Sequence, residues 1–261
     1  SPTHHSLAHF AIGFGNLFSL RPSLHEPRVR FVERREEEAG PFAEIRHRFF
    51  ESYCYLLQGR PEAGLERGGQ SPWEGASGRP LMFQAGARLF EVWSHFYRGD
   101  TEQSLDSLHD ARRLAYATWG VRSPMVQGLM LTRICCAALA ARRPAEVIAH
   151  AKQFRGTRAP VHHSYRTHLE ALAALAGSGD PVAKLRAMAD HGQRYGIEQL
   201  EGTALWGLGM LLAGPEGAPD RARLLALIAD TGLVDPGRYF WSLMPIGEPP
   251  PRRGTTVAIW A

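Results

Sequence analysis

Along most of the chain apolar residues recur every three to four positions, and runs alternating at period two are almost absent, so the pattern predicts helices and nearly no strands. The helices read from that period cover Thr3–Leu20, Pro27–Ala39, Phe42–Gln58, Pro61–Arg67, Pro80–Arg98, Thr101–Trp119, Pro124–Arg142 and Pro144–Phe154. Four more cover Val161–Ala176, Pro181–Tyr195, Glu198–Ala213 and Pro219–Thr231. A short junction recurs between them: Gly59-Arg60-Pro61-Glu62, Gly99-Asp100-Thr101-Glu102, Arg142-Arg143-Pro144-Ala145 and Gly179-Asp180-Pro181-Val182, with a looser copy at Pro219-Asp220. Counted from Pro61 to Thr101, Pro144, Pro181 and Pro219, the steps are 40, 43, 37 and 38 residues. Glycine ends a helix because it takes the left-handed conformation cheaply, Asp caps the next helix, and Pro at its first position loses no hydrogen bond.

After each junction an apolar spine follows at helical spacing: Leu65; Leu105 and Leu108; Val147, Ile148 and Ala151; Leu185 and Met188; Leu224 and Leu225. Before it, the longer helices carry Phe49, Phe50, Tyr53, Leu56, Leu89, Val92, Trp93, Phe96, Leu131, Ile134, Leu172 and Leu175, which read as core. A helical hairpin of about 40 residues cannot bury its apolar side alone, so the hairpins are expected to stack. The expected organisation is residues 1–40 as N-terminal helices continuous with the stack, 41–231 as helical repeats, and 232–261 as a Pro-rich extended tail packed on the last helices. Gly68–Arg79, with its glycines and prolines around Trp73, reads as an irregular loop.

Composition narrows the class. A hydrophobic content of 44% and a charged content of 21% are those of an ordinary globular chain. No apolar run reaches the roughly 20 residues that span a bilayer, and no basic start, apolar core and cleavage site precede Leu7, so a cytoplasmic protein is expected. The net charge of +4 comes almost wholly from arginine, with Lys152 and Lys184 the two lysines, a balance that fits GC-rich coding. Arg28, Arg30, Arg34 and Arg35 are offset by Glu33, Glu36, Glu37 and Glu38, so direct nucleic-acid binding is not expected. Cys54, Cys135 and Cys136 have no metal-like spacing and read as packing residues.

The junctions with their adjacent spine, as in Gly99-Asp100-Thr101-Glu102-Gln103-Ser104-Leu105, resemble the helix turn of tetratricopeptide (TPR) repeats. Ser52 and Cys135 match the small residue that the family carries midway along its first helix, whereas Val92 and Leu172 do not. The step near 40, with Ala111-Arg112-Arg113-Leu114-Ala115 and Glu201-Gly202-Thr203-Ala204-Leu205-Trp206, resembles the sensor regions of bacterial MalT-like and LuxR-type regulators and signalling (STAND) ATPases, over roughly residues 42–231. The resemblance implies an all-α, TPR-like α-α superhelix, a solenoid of antiparallel hairpins with an irregular C-terminal tail. It also implies binding of an inducer or partner, in bacterial signalling or transcriptional regulation. No GxxxxGK[ST] loop or DNA-reading helix-turn-helix is present.

No nucleophile elbow, HExxH, paired CxxC or Gly-rich phosphate loop appears, so no enzyme activity, cofactor or metal is expected. Gly13-Phe14-Gly15 lacks the strand and third glycine of a dinucleotide fingerprint, and His5 and His9, four apart, lack a third ligand. The expected site is the concave face of the first helices: Arg46, Phe49, Tyr53, Arg88, Trp93, Tyr97, Arg133, His162, His163 and Arg166. Its expected occupant is a protein or peptide segment, with the arginines favouring an acidic one. A small-molecule receptor or enzyme with a pocket near the His162–Glu170 helix, and a homodimerisation scaffold, are the alternatives.

Overall fold

The structure, a computed structural model, describes residues 19–21, 53–69, 91–116, 124–157 and 159–251. The expected helix Thr3–Leu20 apart from its last two residues, the helix Pro27–Ala39, most of the Gly68–Arg79 loop and the chain after Pro251 lie outside them. Among the described residues all regular structure is helical. The helices are α1 (Pro61–Gly69), α2 (Thr101–Tyr116), α3 (Pro124–Ala140), α4 (Pro144–Ala151), α5 (Pro160–Leu175), α6 (Pro181–Tyr195), α7 (Glu198–Leu211), α8 (Ala218–Ile228) and α9 (Pro236–Trp241). Residues 53–57 and 91–98 are also helical and lead into α1 and α2.

One hydrogen-bond figure closes four of the five repeated junctions; before the looser copy at Pro219-Asp220, α7 ends at Leu212 with φ −99° and no left-handed turn. The Gly59 and Arg60 amides donate to the Leu56 and Tyr55 carbonyls, and those of Gly99 and Asp100 to Phe96 and His95. The Arg142 and Arg143 amides donate to Leu139 and Ala138, and those of Gly177 and Ser178 to Ala174 and Ala173. This is the paired closure in which two orphan carbonyls at a helix end are satisfied by a left-handed residue and its successor. The turning residues accordingly have φ of 66°, 86°, 57° and 100°. In the fourth copy the turn falls at Gly177, two residues before the glycine named by the sequence pattern, and Asp180 then caps α6 by accepting from the Val182 and Ala183 amides. Gly196 closes α6 in the same way, with its own amide on Gln193 and that of Ile197 on Gly192.

The chain doubles back at Gly99, Arg142 and Gly177. α3 packs on α4, α5 on α6 and α7 on α8, while α2 on α3, α3 on α5 and α6 on α7 join one pair to the next. Two polar contacts mark equivalent seams: Ser104 Oγ donates to the Val92 carbonyl and Cys135 Sγ to the Val147 carbonyl. Residues 19–21 are tied to the start of α7, where the Glu198 carboxylate accepts from Ser19 Oγ, the Leu20 amide and Arg21 Nε. Among the described residues no helix is long and apolar enough to cross a membrane.

Over its described part, residues 232–251, the chain after α8 departs from the extended tail expected over 232–261. Asp235 accepts from the Arg238 amide and starts α9, with Pro236 at its first position. Tyr239, Phe240, Trp241, Leu243 and Met244 are all buried. The physical reason is burial: five large apolar or aromatic side chains in six residues gain about 1.5–3 kcal/mol each on leaving water, so a surface path would forfeit most of it.

Candidate functional site

Residues 233–249 lie across one face built by helical residues 53–57 and 91–98 together with α3, α5 and α7. The segment enters where the Val234 amide donates to the Leu57 carbonyl. Tyr239 then reaches Tyr53, their hydroxyls 2.9 Å apart, and the Gln199 side chain of α7 donates to the same hydroxyl. Trp241 stacks on Phe96 with centroids 4.8 Å apart. Phe240 lies over Gly202 of α7, where a Cβ would stand 2.6 Å from its ring, so α7 needs glycine there for the segment to approach.

Side chains of three helices grip the backbone of the segment. His168 Nε2 donates to the Leu243 carbonyl at 2.8 Å, Cys136 Sγ to the same carbonyl at 3.2 Å, and Trp206 Nε1 to the Met244 carbonyl at 3.1 Å. A carbonyl can only accept, so the neutral His168 carries its proton on Nε2. Trp93 Nε1 donates to Ser242 Oγ, the Tyr97 hydroxyl to the Asp235 carbonyl, and Arg238 to the Tyr97 carbonyl.

Burial sets the charge state of these groups. Desolvation pulls His168 down to about 4 and pushes Cys136 and Tyr239 up to about 12, while Tyr53 and Tyr165 are also raised by burial. The face is therefore lined with neutral donors at pH 7. Arg133 of α3 is the exception: it is 5% exposed, and its guanidinium lies 3.7 Å from the centre of the Trp93 ring. Among the described residues its Nη1 has no hydrogen-bond partner. Burial lowers its basicity, and the groups that act on it electrostatically are the Cys136 thiol and the phenols of Tyr239, Tyr53 and Tyr165.

Of the expected site residues, Tyr53, Trp93, Tyr97 and Arg133 converge beneath this segment. His162, His163 and Arg166 do not: His162 Nδ1 meets Thr157, Arg166 donates to the Gly156 carbonyl, and His163 stacks edge-on with His191 at 4.6 Å. The reason is helical phase, since His168 occupies the inward side of α5 and those three the others. Arg46, Phe49 and Arg88, like His5 and His9, lie outside the described residues. Beside His163, Ser164 Oγ is 3.1 Å from His191 Nε2, but that hydroxyl also donates to the Pro160 carbonyl of its own helix. Among the described residues no three His, Cys, Asp or Glu side chains gather as a metal site.

The sequence reading missed the segment itself. Its signal was present, because Asp235-Pro236 repeats the Asp180-Pro181 helix start and introduces the apolar run Tyr239 to Met244. Compared with protein-family models, curated proteins and solved structures, the chain matches none.

Proposed function

We propose that this protein is a non-catalytic TPR-like solenoid that binds a polypeptide segment of a partner, in a sensor or regulatory role of the kind its resemblance to bacterial regulators implies. The carrying observation is that the face formed by the first helices already holds a polypeptide, residues 233–249, by hydrogen bonds from His168, Cys136 and Trp206 to its main chain. Main-chain contacts of that kind accept any backbone, while pockets such as those under Tyr239, Phe240 and Trp241 select the side chains. The repeated left-handed closures support the solenoid, since those at Gly99, Arg142 and Gly177 are followed by a helix that contacts its predecessor.

The test keeps the whole chain. A protease site inserted after the exposed Gly232 and cut in the folded protein leaves the segment held by its contacts alone. A labelled peptide of residues 233–251 should then exchange into the face, read by fluorescence anisotropy. A cut chain that loses its cooperative melt and takes up no peptide would mean that the segment is plain core, and the receptor reading would be abandoned.

A further inference from the structure

We propose that the partner segment carries a carboxylate that pairs with Arg133, and that residues 233–249 occupy its place in cis as an occupant lacking that group. This rests on the receptor reading above. Arg133 is buried on the face of Trp93, with an unpartnered Nη1 and with no ion pair to any described carboxylate. Removing a guanidinium from water without a counter-charge opposes folding. The cis segment does not repair this. Its acids are Asp235, which caps α9, and Glu248, which is exposed and stands 3.9 Å from Arg142.

The position that a carboxylate would take can be named. The Trp93 ring under the guanidinium donates to Ser242, and Cys136, one turn after Arg133 on α3, donates to Leu243. Arg133 therefore faces the turn from Tyr239 to Leu243, among neutral hydroxyl and thiol groups that would donate to an anion. A carboxylate at position 242 would accept from the Trp93 N–H in place of the Ser242 hydroxyl, which now donates to the Tyr239 carbonyl, and would bring a negative charge to the ring on which the guanidinium stacks.

Two measurements separate this proposal from the reading beneath it. In the intact chain, Ser242→Asp should raise the melting temperature by roughly 3 °C or more over the same-sized neutral Ser242→Asn, and should lower it in an Arg133→Met background. In the cut chain, a 233–251 peptide carrying Ser242→Asp should displace the native segment at about tenfold lower concentration than the native peptide, and the preference should vanish with Arg133→Met. If the native peptide exchanges but neither measurement shows a gain that depends on Arg133, the carboxylate proposal is overturned and the receptor reading survives. If no peptide exchanges, both fall. A saturable, Arg133-dependent rise in melting temperature with inorganic phosphate or acetate, without any gain for the acidic peptide, would also overturn it in favour of a small-anion site.

Discussion

Trp93 shows how far one side chain can be argued from its surroundings. With the indole 5% exposed, packed against Tyr53 at 5.2 Å and Tyr239 at 6.0 Å, Trp93→Ala should cost about 3–5 kcal/mol by chemical denaturation, well above the cost at an open groove wall. His168 is the residue that should make stability depend on pH. Its folded value near 4 lies below the ordinary 6.5, so between these limits the unfolded chain binds a proton that the folded chain refuses. Its stabilising contribution is complete above pH 6.5 and is lost as pH falls toward 4, a change on the order of 3 kcal/mol. Urea titrations at pH 7 and pH 4.5 should show that loss, and His168→Gln should flatten it. The sequence pointed to Trp93, Tyr53 and Arg133 because bulky or charged residues on first helices are conspicuous. It could not say that His168 and not His163 turns inward, because a shift of 100° per residue is smaller than the uncertainty of a helix phase read from periodicity.

At the scale of the element, the repeated junction is a sequence feature whose cause is now visible as a hydrogen-bond figure. Three copies turn at glycine and one at Arg142, which holds φ 57°. A side chain in that conformation costs about 1–2 kcal/mol, part of which glycine returns through its greater freedom in the unfolded chain. Arg142→Gly should therefore raise stability by up to about 1 kcal/mol, and a thermal melt in which it destabilises would contradict the strain argument. Asp180, which receives the Val182 and Ala183 amides at 2.9 and 3.2 Å, should cost about 1 kcal/mol when changed to Ala. Most of the described helices were legible in advance: α6 runs from Pro181 to Tyr195 as the pattern predicts, because cap, first-turn Pro and closing Gly196 all fall at its ends. α9 was not, since its six residues are too few to display a period and are apolar on nearly every side.

For the whole molecule, the consequence of the bound segment is that the face and its occupant should open together. Cys136 lies beneath Leu243, and its thiol is held protonated by burial, so a thiol reagent should leave it unmodified in the native chain. Weakening the segment with Trp241→Ala should raise the labelling rate of Cys136, read by mass spectrometry, more than that of Cys135, which is closed off by α4 instead. Equal acceleration at both sites would point to global unfolding in place of release of the segment.

Period, junctions and caps by themselves determined the helical class, the turns and most helix limits, because each depends on residues within four or five positions of one another. Which face is filled, and by what, was decided only by tertiary structure. Tyr53 and Tyr239 are 186 residues apart, and their contact follows from the summed burial of an aromatic segment that no local rule couples to the first helices. That Arg133 Nη1 meets no partner among the described residues is likewise a property of what packs around it, since an arginine in a sequence carries no sign of whether a carboxylate will meet it.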